Sequence, residues 1–166
     1  AILLGVGMLD MVLDVGKIAG RKVSGGAAGP AIIGSGIVAS IMGQAVSNVV
    51  LTGRLTVPMM RKYGYKGSMA GAIEATASTA GQIMPPIMGL AAFIIASFLN
   101  KAYIDVALSA LIPGLLYLVG VCIAVAVYAR RYELPKLVEK VDTERIKRLL
   151  PTFFISFGVV LWLLLG

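Results

Sequence analysis

The chain has 166 residues, 58% of them hydrophobic and 14% charged, with a net charge of +7, one cysteine and no histidine; its mean hydropathy is +0.92. Soluble domains carry charge on about a quarter of their residues, so a water-soluble globule is excluded and the apolar runs point to an all-α polytopic membrane protein. Without histidine, and with Cys122 alone, there is no zinc cluster, disulfide or His-based hydrolytic site to build, and the basic residues lie between apolar runs, without the interleaved aromatics of a nucleic-acid binder.

In chain order, residues 1–22 read as the end of a transmembrane helix (Ala1 to Leu9) followed by an amphipathic helix on the membrane surface. Met11, Val12, Val15, Ile18 and Ala19 form its apolar face, and Asp10, Asp14, Lys17 and Arg21 its polar one. Ser24 to Pro30, "SGGAAGP", reads as a glycine-rich turn. Ala31 to Met42 is apolar but about 12 residues long, roughly 18 Å as a helix. That cannot cross a hydrocarbon core about 30 Å thick. "GQAVSN", Gly43 to Asn48, follows, and then a second short apolar stretch, Val49 to Met60, ending in the basic "RKYGYK".

Ser68 to Leu99 is interrupted by "STAGQIMPPIMG", Ser78 to Gly89. The adjacent prolines Pro85 and Pro86 remove two backbone donors and break any helix there. The two arms are expected at Ser68 to Ala80 and Pro86 to Leu99. Tyr103 to Ala129 is one continuous apolar helix. Arg130 to Leu150 is a basic loop with a surface helix, and 151–166 is the start of a further transmembrane helix. The apolar runs at both ends lead us to expect a segment of a longer protein.

Charge decides the topology. If residues 23–66 form a re-entrant hairpin and 67–100 a broken transmembrane helix, fourteen of the fifteen Lys and Arg share one face and only Lys101 lies opposite. The positive-inside rule makes that face cytoplasmic. The hairpin then dips in from the cytoplasm with its tip at Gly43–Asn48. Irregular backbone at membrane depth survives only where protein buries it or it lines a wet cavity. Two such breaks at similar depth suit the binding site of a secondary transporter, where half-helix N-termini meet anions and freed carbonyls meet cations.

The run from Gly43 through "EATASTAGQIMPPIMG", Glu74 to Gly89, resembles the large membrane subunit of tripartite ATP-independent periplasmic (TRAP) transporters. It is most similar to the fused permeases that work with TAXI-type solute receptors, and the likeness runs from about Leu9 to Arg130. The resemblance implies half of an inverted-repeat, elevator-type transporter: a sodium-coupled importer of an organic acid in the prokaryotic inner membrane. It also implies a periplasmic TAXI-type receptor, a small membrane subunit (separate or fused) and a second repeat of the same permease as partners. Sodium is the coupling ion and no cofactor is expected. The chain departs from the family pattern at Met42-Gly43-Gln44, where Ser-Gly-Ser is usual, at Leu51 in place of a Thr, and at Ala80 in place of a Gly.

On this footing sodium is expected at Gly43, Ser47, Asn48, Ser78, Thr79 and Gly81, and the substrate at Asn48, Thr52, Gln82 and Pro85. Plainer readings stand beside these. Ser47 and Asn48 can cap the returning helix, and Ser78 and Thr79 can satisfy the backbone freed by the prolines. Glu74 has an ion or proton role, as an intramembrane acid does by default, or it reaches the interface or pairs with Arg54 or Lys62. The rival functions are another ion-coupled carboxylate carrier and a non-transporting remnant or accessory protein. An intramembrane enzyme lacks a nucleophile–base pair.

Overall fold

A computed structural model describes residues 9–21 and 25–138, together with residues 144, 146, 148–151, 155, 158 and 159. The segment Ala1 to Ile2 and onward to Met8, and most of 151–166, therefore lie outside the described residues. Every extended element described is helical: α1 (Leu9–Gly20), α2 (Ser35–Met42), α3 (Ala45–Lys62), α4 (Gly67–Thr79), α5 (Leu90–Leu99) and α6 (Tyr103–Arg131).

The glycine-rich stretch before α2 is helical and not an open turn. A 3-10 turn, Gly26–Ala28, leads into a π turn, Pro30–Gly34, which runs on into α2. Its small residues serve contact. A Cβ placed on Gly20 would stand 2.1 Å from the carbonyl oxygen of Gly26, so α1 crosses this segment backbone against backbone. That crossing also corrects the face expected of α1. Met11, Val12, Leu13 and even Asp14 are buried, whereas Ile18 and Ala19 are exposed. Glycines let two backbones approach more closely than any apolar side chain could, and the Gly16/Gly20 edge sets the helix orientation. Asp14 pairs with Lys17 at 2.9 Å.

The reversal between α2 and α3 needs only Gly43 and Gln44. Gly43 sits at φ 64, in the left-handed region, and its N–H closes α2 onto the Ala39 carbonyl at 2.7 Å. This is the usual glycine stop of a helix. The expected tip at Gly43–Asn48 is thus shorter: Ala45 to Asn48 already form the first turn of α3. α3 then returns along α2 and the π turn.

The double proline does interrupt the next helix. α4 ends at Thr79, a 3-10 turn follows at Ala80–Gln82, and helix resumes only at Leu90, four residues later than the expected second arm at Pro86. Met88 at φ 54 is incompatible with continuing helix. α6 is 29 residues long, about 44 Å, and is the one helix among the described residues long and apolar enough to cross a membrane. Its outward face, with Leu108, Ile112, Leu116 and Ile123, is exposed. So are Leu90, Phe98 and Leu99 of α5.

The core joins what the sequence separates. Ala27, Ala28, Ala31, Met60, Ala70, Ile73, Val125 and Ala129 are buried together, with Leu134 and Leu137 folded back beneath them. The stretch after α6 is therefore not all solvated loop. Tyr65 pins this end by donating its hydroxyl to the Gly25 carbonyl at 2.6 Å.

Candidate functional site

Two features of the middle of the chain meet. Asn48, Thr52 and Thr56 recur every four residues on one face of α3 and are all fully buried. Glu74 and Ser78, also four apart and fully buried, face them from α4. Ser35, at the junction of the π turn and α2, completes the group. Spacing of four brings side chains onto one helix stripe, so packing α3 on α4 zips two polar stripes together.

Glu74 is the hub. Its Oε1 accepts hydrogen bonds from Ser35 Oγ at 2.8 Å, from Ser78 Oγ at 3.2 Å and from Thr52 Oγ1. Its Oε2 accepts one from Thr56 Oγ1. The Thr52 hydroxyl also lies 2.8 Å from the Asn48 carbonyl, and that of Thr56 lies 3.1 Å from the Thr52 carbonyl. Each threonine has one proton, so it serves the carboxylate or its own helix, not both at once. Asn48 Nδ2 donates to the Ser35 carbonyl at 3.1 Å and to Ser78 Oγ at 2.8 Å. Asn48 Oδ1 is buried with no partner. The expected pairing of Glu74 with Arg54 or Lys62 does not occur: the partners are neutral hydroxyls, and Arg54 points to the exposed side of α3.

The second feature is the seat of the proline break on the α2–α3 reversal. The Ile87 N–H donates to the Ser40 carbonyl at 3.2 Å. A Cβ on Gly43 would meet the Met88 carbonyl oxygen at 2.0 Å, and one on Gly81 would meet the Ala39 backbone carbon at 2.3 Å. The freed backbone is answered within the protein. The Gly89 N–H reaches the Gln82 carbonyl at 2.9 Å, and the Tyr103 hydroxyl stands 2.8 Å from the Pro86 carbonyl and 2.7 Å from that of Ile87.

The expected site residues therefore divide. Asn48, Thr52, Glu74 and Ser78 share the buried cluster. Gly43 and Gly81 are contact points between reversal and break. Ser47 Oγ donates to Gln44 Oε1 at 2.6 Å near the surface and caps no helix. Thr79 is exposed and bonded to the Ala75 carbonyl at 2.8 Å within its own helix. Gln82 is exposed, and Pro85 is half-buried in the break. Neither Ser78 nor Thr79 satisfies the backbone freed by the prolines; Ser40, Gln82 and Tyr103 do. Ser35, Thr56 and Tyr103 were not foreseen. The 48–52–56 spacing was a usable signal for Thr56, whereas Ser35 and Tyr103 arrive only through tertiary packing.

The chain matches the family model described as "Tripartite ATP-independent periplasmic transporter, DctM component" over residues 2–166. It is 28% identical over 120 residues to a Haemophilus influenzae protein described as a TRAP transporter large permease. That alignment covers 72% of this chain and 27% of the relative, so the chain spans about a quarter of the length of the curated relative it matches. With a match along almost its whole length, the chain belongs to the DctM family of tripartite ATP-independent periplasmic transporters.

Proposed function

We propose that this chain forms half of the translocation machinery of a sodium-coupled permease that imports an organic acid. In this reading 23–66 is a re-entrant hairpin, 67–100 is a broken helix that crosses, and α6 spans the inner membrane beside them, within a multi-pass protein. A second, inverted repeat completes an elevator. The observation that carries the reading is the seating of the proline break on the α2–α3 reversal, around Gly43, Gly81 and Met88.

The helix termini support a division of labour. α4 ends at the break and directs its last carbonyls there, which suits a cation. α3 and α5 begin beside it with no side-chain cap on their first N–H groups, which suits a carboxylate. The side-chain oxygens and carbonyls of Gly43, Ser47, Asn48, Ser78, Thr79 and Gly81 are hard donors for sodium, with Asn48 also, and Thr52, Gln82 and Pro85, toward the substrate. Gln44, in place of a small hydroxyl residue, weakens or alters the sodium site. A periplasmic receptor of the TAXI type delivers the acid, and a small membrane subunit, separate or fused, supports the permease.

The test is uptake by the full-length permease in proteoliposomes, with its solute receptor present or omitted and sodium or choline outside. Uptake requiring both sodium and receptor supports the proposal. Receptor-independent uptake contradicts the tripartite reading, and equal uptake in choline contradicts sodium coupling.

A further inference from the structure

An apolar groove of about 120 Å³ runs between α6 and the glycine-rich segment that crosses α1. Gly20 of α1, Gly25, Gly26 and Gly29 of that segment, and Cys122 and Ala126 of α6 line it. The glycines that let α1 cross backbone against backbone bring no side chains to fill the space. Its flanks are open: Ile18 and Ala19 on α1, and Ile123 and Val127 on α6, are exposed.

One end of the groove is basic and aromatic. Cys122, Ala126 and Arg130 are four apart and share a stripe of α6. The α6 wall therefore ends, one turn on, at an exposed arginine. Arg21 directly follows Gly20 on the other wall and is also exposed. At the same corner a Cβ on Gly25 would stand 2.1 Å from that of Ala129, and the Gly25 carbonyl accepts the Tyr65 hydroxyl. The Tyr128 ring lies 5.9 Å from that of Tyr65 and 4.5 Å from that of Tyr132, and Lys66 Nζ sits 5.5 Å from the Tyr132 centroid. Tyrosines collect at headgroup level, and basic residues there attract anionic lipids.

We propose that one anionic phospholipid binds here, with an acyl chain in the groove and its phosphate at the Arg21 and Arg130 end. The charge pattern selects this occupant. A covering helix has no need of a basic end, and a choline headgroup sets its own cation against the arginines. The tail gains contacts but no hydrophobic advantage over bulk lipid, so the preference resides in the headgroup. Once seated, the lipid joins α6 to α1 and the glycine-rich segment. The proposal requires α6 to span the membrane and holds whichever ion drives transport.

The experiment uses the full-length permease in detergent, with every cysteine outside this segment replaced by Ser. Cys122, exposed in the groove, is the reporter. Its labelling by an apolar maleimide, Tm, and lipid retention in native mass spectrometry are compared with phosphatidylglycerol, phosphatidylcholine or inorganic phosphate added. Phosphatidylglycerol should slow labelling and raise Tm more than phosphatidylcholine, and inorganic phosphate should do neither. Arg130→Gln should weaken phosphatidylglycerol retention about fivefold, the effect of one basic residue at an anionic surface. Lys101→Gln, before the far end of α6, should leave it unchanged. Ala126→Leu fills the groove and should abolish retention, whereas Ala124→Leu, off the groove, should keep it. Equal protection by the two lipids, protection by inorganic phosphate, or an unchanged preference in a folded Arg130→Gln overturns the proposal. Cys122 already shielded in lipid-free detergent shows that a helix of the permease covers the groove, which also overturns it. The spanning of α6 is tested separately: Lys101→Cys and Arg130→Cys labelled by an impermeant reagent from the same side of proteoliposomes would refute it.

Discussion

Gly81→Ala is the substitution for which the structure gives the sharpest expectation. A Cβ at Gly81 would stand 2.3 Å from both the backbone carbon and the Cβ of Ala39, and 2.4 Å from its carbonyl oxygen. Ordinary contact begins at 3.4 Å, so break and α2 must part by about 1 Å. Two of the three obstructing atoms are backbone, so no rotamer change relieves them. Overpacking costs about 1–3 kcal/mol, and a rigid obstruction belongs at the upper end. Gly71 lies on α4, the helix that leads into the break, with nothing within 4 Å of its added Cβ. There alanine gains about 0.5–1 kcal/mol of helix propensity. Thermal unfolding of the detergent-solubilised full-length permease should show Gly81→Ala melting below wild type and Gly71→Ala at or above it. Ala39→Gly should rescue Gly81→Ala only in part, since the backbone contacts remain. A Gly81→Ala protein as stable as wild type would refute the claim that the break is seated on α2.

Tyr103→Phe removes the hydroxyl at the Pro86 and Ile87 carbonyls while keeping the stack on Phe93, whose ring centroid lies 4.4 Å away. It should cost about 0.5–1.5 kcal/mol and speed hydrogen exchange at the Ile87 amide; unchanged exchange would show that Tyr103 does not hold the break. Tyr65 lies in the turn between α3 and α4, outside the apolar segments, where burial and then the neighbouring Tyr128 raise its phenol pKa from 10.0 to about 12. The unfolded chain loses this proton near pH 10 and the folded one near pH 12, so this contribution is complete below pH 10 and falls as pH rises between the two. Denaturation at about pH 9 and about pH 11 should show a larger loss for wild type than for Tyr65→Phe, and equal losses would contradict the assignment.

Local chemistry was legible where a single residue dictates the backbone. Pro85 and Pro86 announced the break, Gly43 the reversal, and the unbroken apolar run after Tyr103 the long apolar helix α6. Asn48, Thr52, Glu74 and Ser78 stood out because polar groups in an apolar chain need partners. What escaped the sequence depended on packing. The orientation of α1 follows from Gly16 and Gly20 meeting Gly26, Gly29 and Pro30, and a hydrophobic face count gives those glycines no weight. "SGGAAGP" was read as a turn because glycine and proline usually mark one. Here, small size matters more than flexibility, and most of the segment is helical. Ser35 carried no signal, because its partner lies 39 residues away. One of the readings open for Glu74 paired it with Arg54 or Lys62, yet the inward stripe of α3 carries Asn48, Thr52 and Thr56, and Arg54 falls on the opposite side.

The most direct test of a sodium site between reversal and break uses a single cysteine at Gln82, in the full-length permease with Cys122 and every cysteine outside this segment replaced by Ser. Gln82 is exposed beside the contact between Gly81 and Ala39, so a water-soluble thiol reagent can report on it. Sodium should slow labelling relative to choline, and the half-effect concentration should match that for uptake. Labelling at the same rate in sodium and choline, in a protein that still transports, would contradict sodium ordering of the break.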